Sequence, residues 1–256
     1  MVRTRPFVLA FAFLLALSDL SSSALDAQTD APLPSGREIV ARHVAAVGGE
    51  RAYASIKSIR ARGRLEIAAQ GISGELEVLT ARPARLLYRV IVPGIGRIEN
   101  GYDGRIGWSV SPITGPELLT ARQLSESADD AQFDAALHAS DRVRALTTMG
   151  RVEFDGRAAY KVKVVMTSGN EQAEYFDVET GLQIGSEAAR AVPQGVVQTV
   201  NILRNYRKFG PLMQATSFIQ RALGFEQVVT IDSYEYDVVP DAAFVAPADV
   251  RALIGR

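Results

Sequence analysis

The chain of 256 residues contains no cysteine, one tryptophan and two histidines, and each scarcity removes a class of chemistry. Without cysteine there is no disulfide, no thiol nucleophile, no cysteine-based metal site and no cysteine to carry an N-terminal lipid. Stability must come from burial in a continuous core. Neither sign of charge is in excess: 28 Lys and Arg against 29 Asp and Glu leave a formal net charge of -1. That balance lacks the basic surplus of a nucleic-acid binder. Beyond the first twenty-odd residues no apolar run reaches the roughly 18 residues that mark a membrane-spanning helix.

What is there begins with a contrast at the N-terminus. Arg3 and Arg5 precede an unbroken apolar run over residues 7–17, and small or polar residues follow through Ser21, Ser22, Ser23 and Ala24. A basic start, an apolar stretch too short to anchor in a bilayer and a small-residue exit are the marks of a secretory signal peptide. The expectation is a periplasmic protein whose residues 1–27 are the signal peptide, with cleavage after Ala24 and after Ala27 both compatible with the sequence. Removing that segment takes away Arg3, Arg5, Asp19 and Asp26, so the net charge is unchanged. Roughly 230 residues remain, enough for one large core. Residues 28–34 include Pro32 and Pro34, which deny regular hydrogen bonding, and read as a linker. The folded domain is expected over 35–256.

Ser35 followed by Glu38 is a capping-box pattern, with the serine hydroxyl accepting from the Glu38 amide and the glutamate returning to the serine amide. Ile39, Val40, Val44 and Val47 then keep helical spacing, and Gly48-Gly49 supplies a left-handed stop. From Lys57 the period changes to two. Ile59, Ala61, Gly63, Leu65 and Ile67 alternate with Arg60, Arg62, Arg64 and Glu66, the signature of a half-buried antiparallel strand. Further strands are expected at 75–81, 86–92, 96–102, 106–111, 151–154, 160–167, 171–178, 182–188, 196–207, 212–221 and 226–236, punctuated by turns such as Asp155-Gly156. Between Pro116 and Met149 the alternation stops, and Leu124, Ala128, Ala131, Ala135 and Leu137 recur at helical spacings with Phe133 nearby. One or two helices are expected there, at about 120–140. So few helices cannot layer over so many strands. The expected class is α+β, a curved antiparallel sheet of about eleven strands wrapped around a small helical plug.

The order of several short motifs carries a resemblance. They are Glu38-Ile39-Val40 with Ala46-Val47-Gly48-Gly49, the stretch from Ile59 to Leu65, Gly101-Tyr102-Asp103-Gly104 with Trp108, Pro112-Ile113-Thr114-Gly115, the segment from Phe176 through Asp177, Thr180 and Gly181 to Leu182, and Asp241-Ala242-Ala243-Phe244 running to Pro247. Together they resemble the periplasmic outer-membrane lipoprotein-sorting proteins of the LolA/LolB-like superfamily, in one of its uncharacterised branches. The likeness extends over essentially all of the chain after residue 34. It implies an unclosed β-barrel whose concave face, partly covered by helices, holds lipid chains. Where many members carry a Val-Asp-Gly turn before the late strands, this chain has Lys208-Phe209-Gly210-Pro211 instead.

Catalytic signals are sparse. His43 and His138 fall one in each expected helix, and both read as helix-surface or plug-boundary residues; Asp134 stands one helical turn before His138, a spacing that suits a solvated contact. Gly94-Ile95-Gly96 lacks the third glycine and the strand-to-helix setting of a dinucleotide loop. Asp129-Asp130 lacks the alternating oxygen ligands of a calcium loop. No catalytic residue, metal or cofactor is expected. The arginine stripe of Arg60, Arg62 and Arg64 reads as a solvated outer face in preference to an anionic head-group site.

The expected cavity lining is apolar. Trp108 shares a strand face with Ile106 and Val110 and is expected to point inward; Tyr88 and Val90, Val78, and Leu65 with Ile67 extend the surface, and Leu124, Phe133 and Leu137 close it from the plug. The function expected is binding or carrying a lipid or an acylated lipoprotein. The alternative is an envelope sensor or regulatory module that uses the same fold to engage a protein partner. An enzyme with chemistry in the cavity is a third reading, to be revived only by turnover that depends on His43 or His138.

Overall fold

A computed structural model describes residues 32–192 and 195–254. The segment expected as a signal peptide, 1–27, lies outside the described residues. Helix α1 (Gly36–Ala46) starts at the Ser35 cap, where the Glu38 amide donates to Ser35 Oγ at 3.3 Å and the Ser35 amide donates to Glu38 Oε2 at 2.7 Å. Both halves of the capping box are formed. A short helix α2 (Gly49–Ala54) follows at once and buries Tyr53.

Six strands then run as a meander: β1 (Ser58–Ile67), β2 (Ile72–Ala81), β3 (Arg85–Val92), β4 (Gly96–Tyr102), β5 (Gly107–Ser111) and β6 (Gly115–Leu118). Helix α3 (Ala121–Asp130) and a 3-10 turn (Ala135–Leu137) interrupt them. A second meander follows with β7 (Val143–Phe154), β8 (Arg157–Met166), β9 (Glu171–Asp177), β10 (Gln183–Val192) and β11 (Gly195–Arg204). The small strands β12 (Arg207–Phe209) and β13 (Leu212–Gln214) pair as a separate ribbon, and β14 (Ser217–Ala222) and β15 (Phe225–Tyr236) complete the strands. A 3-10 turn (Asp241–Phe244) and helix α4 (Ala248–Arg251) follow.

Among the described residues thirteen strands form one antiparallel sheet, in the order β6-β5-β4-β3-β2-β1-β15-β14-β11-β10-β9-β8-β7. The two meanders are joined at the middle by β15, which pairs with β1 on one side and β14 on the other. The outermost strands β6 and β7 do not pair, so the barrel is unclosed. Curvature follows from α3. Leu124 and Ala128 pack with Tyr102, and Leu124 lies over Gly107, while the Glu126 carboxylate accepts from the Ala191 amide at 2.9 Å and Asp130 meets Arg190 at 2.9 Å. Strands β5 and β10 stand second and tenth in the order, which in a flat sheet would separate them by about 38 Å. One helix about 10–12 Å across reaches both only because the sheet curls around it.

The helix-bearing side is the inner face. There Ile39 and Val40 of α1 pack on Val162 and Val164 of β8 and on Phe176 of β9. The outer face of β2, β3 and β5 is covered by the C-terminal segment, with Phe244, Ala246 and Val250 packed on Leu79, Leu87 and Trp108. The indole lies so close over Gly101 that a Cβ there would overlap its ring.

Three sequence expectations differ in detail. The expected strand 212–221 is two, because the chain breaks at Ala215 and Thr216 to let the β12–β13 ribbon turn away and bury Leu212 against Val47 and Tyr53. Strand β7 begins at Val143, well before the expected start at Arg151 and inside the stretch up to Met149 where alternation stops, since Leu146 of β7 packs under α1. Strand β6 was not expected; its Pro116 and Glu117 disguise a short edge strand paired with β5.

Candidate ligand-binding cleft

On the inner face where β1–β3 meet β14 and β15, a cleft of about 360 Å³ opens. The strand register builds its floor. Tyr88 is opposite Val78, Val78 opposite Ala61 and Ala61 opposite Tyr234, so side chains from four strands form one row. Ile59, Leu76, Phe218, Val229 and Ile231 extend this apolar surface. Among the described residues no Asp, Glu, Lys, Arg or His lines the cleft.

A second row is polar. Gln227, Gln220, Asn201 and Ser186 pair in register across β15, β14, β11 and β10, and the row continues to Glu174 on β9. Gln220 Nε2 donates to Asn201 Oδ1 at 3.1 Å, Asn201 Nδ2 to Ser186 Oγ at 3.3 Å, and Gln227 Nε2 reaches the Tyr88 hydroxyl at 3.3 Å. Burial pushes the Tyr88 phenol up to about 12, and the Gln227 bond only partly offsets this, so the hydroxyl stays a neutral donor. The Tyr234 phenol is raised further by burial, and its hydroxyl donates to the Ala215 carbonyl at 2.6 Å.

The structure divides the residues expected to line the cavity. Val78 and Tyr88 line the cleft, and Leu65, Val90 and the half-buried Ile67 belong to the apolar cluster continuous with it. Leu124 of α3 packs with Ala84 and Tyr102, while Phe133 and Leu137 pack with Val47, Tyr53, Ile56 and Leu212. These three form the plug and do not border the cleft. Trp108 and Ile106 lie on the other side of the sheet. Register sets Ser109, not Trp108, opposite Asn100, and Asn100 opposite Tyr88, so Trp108 points outward into the C-terminal segment, fully buried, with Nε1 donating to Glu99 Oε1 at 3.3 Å. The shared face of Trp108 and Ile106 was legible, but an outer face covered by the chain's own C-terminus looks the same in sequence as an inner one.

Sequence reasoning missed Asn201, Gln214, Gln220 and Gln227. In β11 the apolar Ile202 is buried while the half-buried Asn201 faces the cleft, so alternation alone assigns Asn201 to solvent. The signal that could have found Asn201, Gln220 and Gln227 is the placement of amides in three strands that are neighbours in the sheet and whose register brings them side by side.

The histidines are buried, not at the surface. His138 Nε2 lies 2.7 Å from Glu174 Oε2, and Nδ1 lies 3.1 Å from the Ala136 carbonyl, so both ring nitrogens face acceptors. Burial works against its charge, yet Glu174 and that carbonyl together raise the His138 pKa, and despite burial His138 and Gln172 lower that of Glu174. His43 accepts from the Gln183 amide at 3.2 Å, and burial followed by the His138 charge lowers it to about 4. Asp134 does not hold His138; its carboxylate forks onto Arg82 at 2.5 and 2.7 Å. Asp129 accepts from Ser168 and Asn170, and Asp130 from Arg190. Among the described residues no three His, Asp or Glu are grouped to hold a metal. On the outer face Arg60 and Arg62 are matched by Glu77 and Glu235, and Arg64 by Asp232. Among the described residues no helix is long and apolar enough to cross a membrane.

No protein-family model matches the sequence, and no curated protein matches it either. Solved structures do. A LolA superfamily protein from Nitrosomonas europaea is 13% identical with a TM-score of 0.55, the match covering 84% of this chain and 99% of that one. An outer membrane lipoprotein-sorting protein domain from Vibrio parahaemolyticus is 13% identical with a TM-score of 0.51, covering 82% and 95%. A DUF1329 family protein from Desulfovibrio piger is 12% identical with a TM-score of 0.54, covering 84% and 97%. The unclosed thirteen-strand sheet curled around α3, matched over nearly the whole length of these chains, is a LolA-like fold.

Proposed function

We propose that the protein is exported to the periplasm and binds an acyl chain of a lipid or acylated protein in the inner-face cleft, as a carrier and not as an enzyme. The observation that carries this reading is an apolar cleft of about 360 Å³ with no Asp, Glu, Lys, Arg or His among the described residues that line it. Its volume falls in the range of roughly 300–1,000 Å³ usual for small-molecule sites. Burial of about eight methylenes there would supply on the order of 6 kcal/mol without any specific polar contact. The apolar run at residues 7–17 supports export, and the lipoprotein-sorting neighbour shares the fold.

The test is native mass spectrometry with lipid extraction on protein purified from the cell envelope. A mature N-terminus at Leu25 or Gln28 and a bound acyl ligand are expected. Val78→Asp, which puts an unpaired charge into the floor, should reduce uptake of a fluorescent acyl probe at least tenfold. A delipidated protein that takes up no acyl probe at micromolar concentration would sink the carrier reading, and a stoichiometric protein partner in its place would establish the sensor.

A further inference from the structure

Resting on that reading, we infer that the amide row selects the head of the ligand: the cleft takes an acyl chain ending in an uncharged group that both donates and accepts hydrogen bonds, and rejects the same chain ending in a carboxylate or phosphate. Part of the row's hydrogen-bonding capacity is already used. Gln220 and Gln227 each spend an amide N–H, on Asn201 and on Tyr88 respectively. Their carbonyl oxygens are the acceptors left over. Tyr88 receives from Gln227, which leaves its own O–H to give, and that phenol stays protonated at any physiological pH. Acceptors and a donor thus stand side by side at the edge of the apolar floor.

A hydroxyl or amide head satisfies both kinds of group. An anionic head only accepts. It finds the Tyr88 phenol, the Thr80 hydroxyl and the remaining hydrogens of the Gln214, Gln220 and Gln227 amides, it faces the carbonyl oxygens of Gln220 and Gln227, and among the described residues no cationic side chain lines the cleft to offset its lost hydration. The arginines nearest in sequence, Arg60 and Arg62, alternate with the floor residues Ile59 and Ala61, lie on the opposite face of the sheet and are matched by Glu77 and Glu235. Farther along the polar row, Glu174 is matched by His138 and Arg190 by Asp130, so neither offers a free charge. A cationic head fares no better, because among the described residues no carboxylate lines the cleft. Two neutral amides bonded across neighbouring strands recognise shape and hydrogen-bond polarity, not charge.

The experiment compares three probes with the same oleoyl chain on the full mature protein: monooleoylglycerol, oleate and oleoyl lysophosphatidylglycerol. Each competes with an uncharged fluorescent acyl probe below its micelle-forming concentration. Monooleoylglycerol should bind at least tenfold more tightly than either anion. Combining Gln220→Leu with Gln227→Leu should retain binding and remove most of that preference, and Gln220→Arg should shift it towards the anions. Circular dichroism reports whether the variants fold, and the wild-type comparison stands without them. Equal affinity for the three probes, or tighter binding of an anion, overturns the head-group inference and leaves the acyl-chain reading standing. Failure of all three to bind removes both.

Discussion

His138 and Glu174 meet at 2.7 Å with both side chains almost wholly buried, tying the turn after α3 to strand β9 on the inner face. Gln172 donates to the other carboxylate oxygen at 2.6 Å, so the carboxylate has a partner on each oxygen. Removing one member leaves the other charge buried and unpaired. His138→Ala or Glu174→Gln should destabilise the fold by about 3–5 kcal/mol, whereas replacing both by leucine should recover much of that loss. Denaturant unfolding of the three variants checks this. Single variants as stable as the parent would show that the pair contributes little.

The same cluster sets a pH dependence. His43 is held neutral, at about 4 against an ordinary 6.5, so its contribution to stability is complete above pH 6.5 and falls as the pH drops towards 4. That shift is worth about 3 kcal/mol. His138 runs the other way: its raised pKa contributes fully below 6.5 and is lost as pH rises through the folded value, while Glu174 contributes above its ordinary 4.5. Maximum stability from this cluster is expected near pH 6.5. In His43→Gln the loss between pH 6.5 and 4 should become much shallower, read by unfolding midpoints across that range.

Trp108 is sealed beneath Phe244 and Val250 on the face away from the cleft. Its emission should be that of a dry indole and should not change when an acyl ligand fills the inner face. Trp108→Ala should cost about 3–5 kcal/mol. A large ligand-dependent change in tryptophan fluorescence would show that the two faces are coupled.

Phe133 packs with Tyr53 and Leu212, and the Arg82 guanidinium lies 4.7 Å from its ring centre. Phe133→Ala should destabilise by about 3 kcal/mol or more, through the lost packing and the weakened seat of Arg82. Acyl-probe affinity should change less than stability, because Phe133 does not border the cleft. Parallel binding and unfolding measurements separate the two effects.

Local rules made much of the fold legible. The Ser35 and Glu38 cap, the stop at Gly48-Gly49, the alternation of Ile59 to Ile67 and the Asp155-Gly156 turn, where both residues take positive φ, are written in side-chain chemistry within a few residues of each other. The equivalent turn at Leu223-Gly224 is not, because leucine carries no preference for the left-handed conformation it adopts there. The separation of β13 from β14 is likewise silent in sequence, since it depends on Leu212 finding a pocket between Val47 and Tyr53.

The sequence by itself determined that this is a cysteine-free chain of alternating strands with too few helices to layer over them, and therefore a curved antiparallel sheet. Period and turn chemistry are local, so they survive without a fold. Which side of each strand is the inside was decided only by tertiary structure. Trp108 and Tyr88 both read as inward, yet β5 and β3 present them to opposite faces, one covered by the C-terminal segment and one open as the cleft. Asn201, Gln220 and Gln227 carry nothing in the sequence that joins them, yet register aligns them into a single polar row. Alternation reports that a strand has two unlike sides; only the packing of distant segments decides what each side meets.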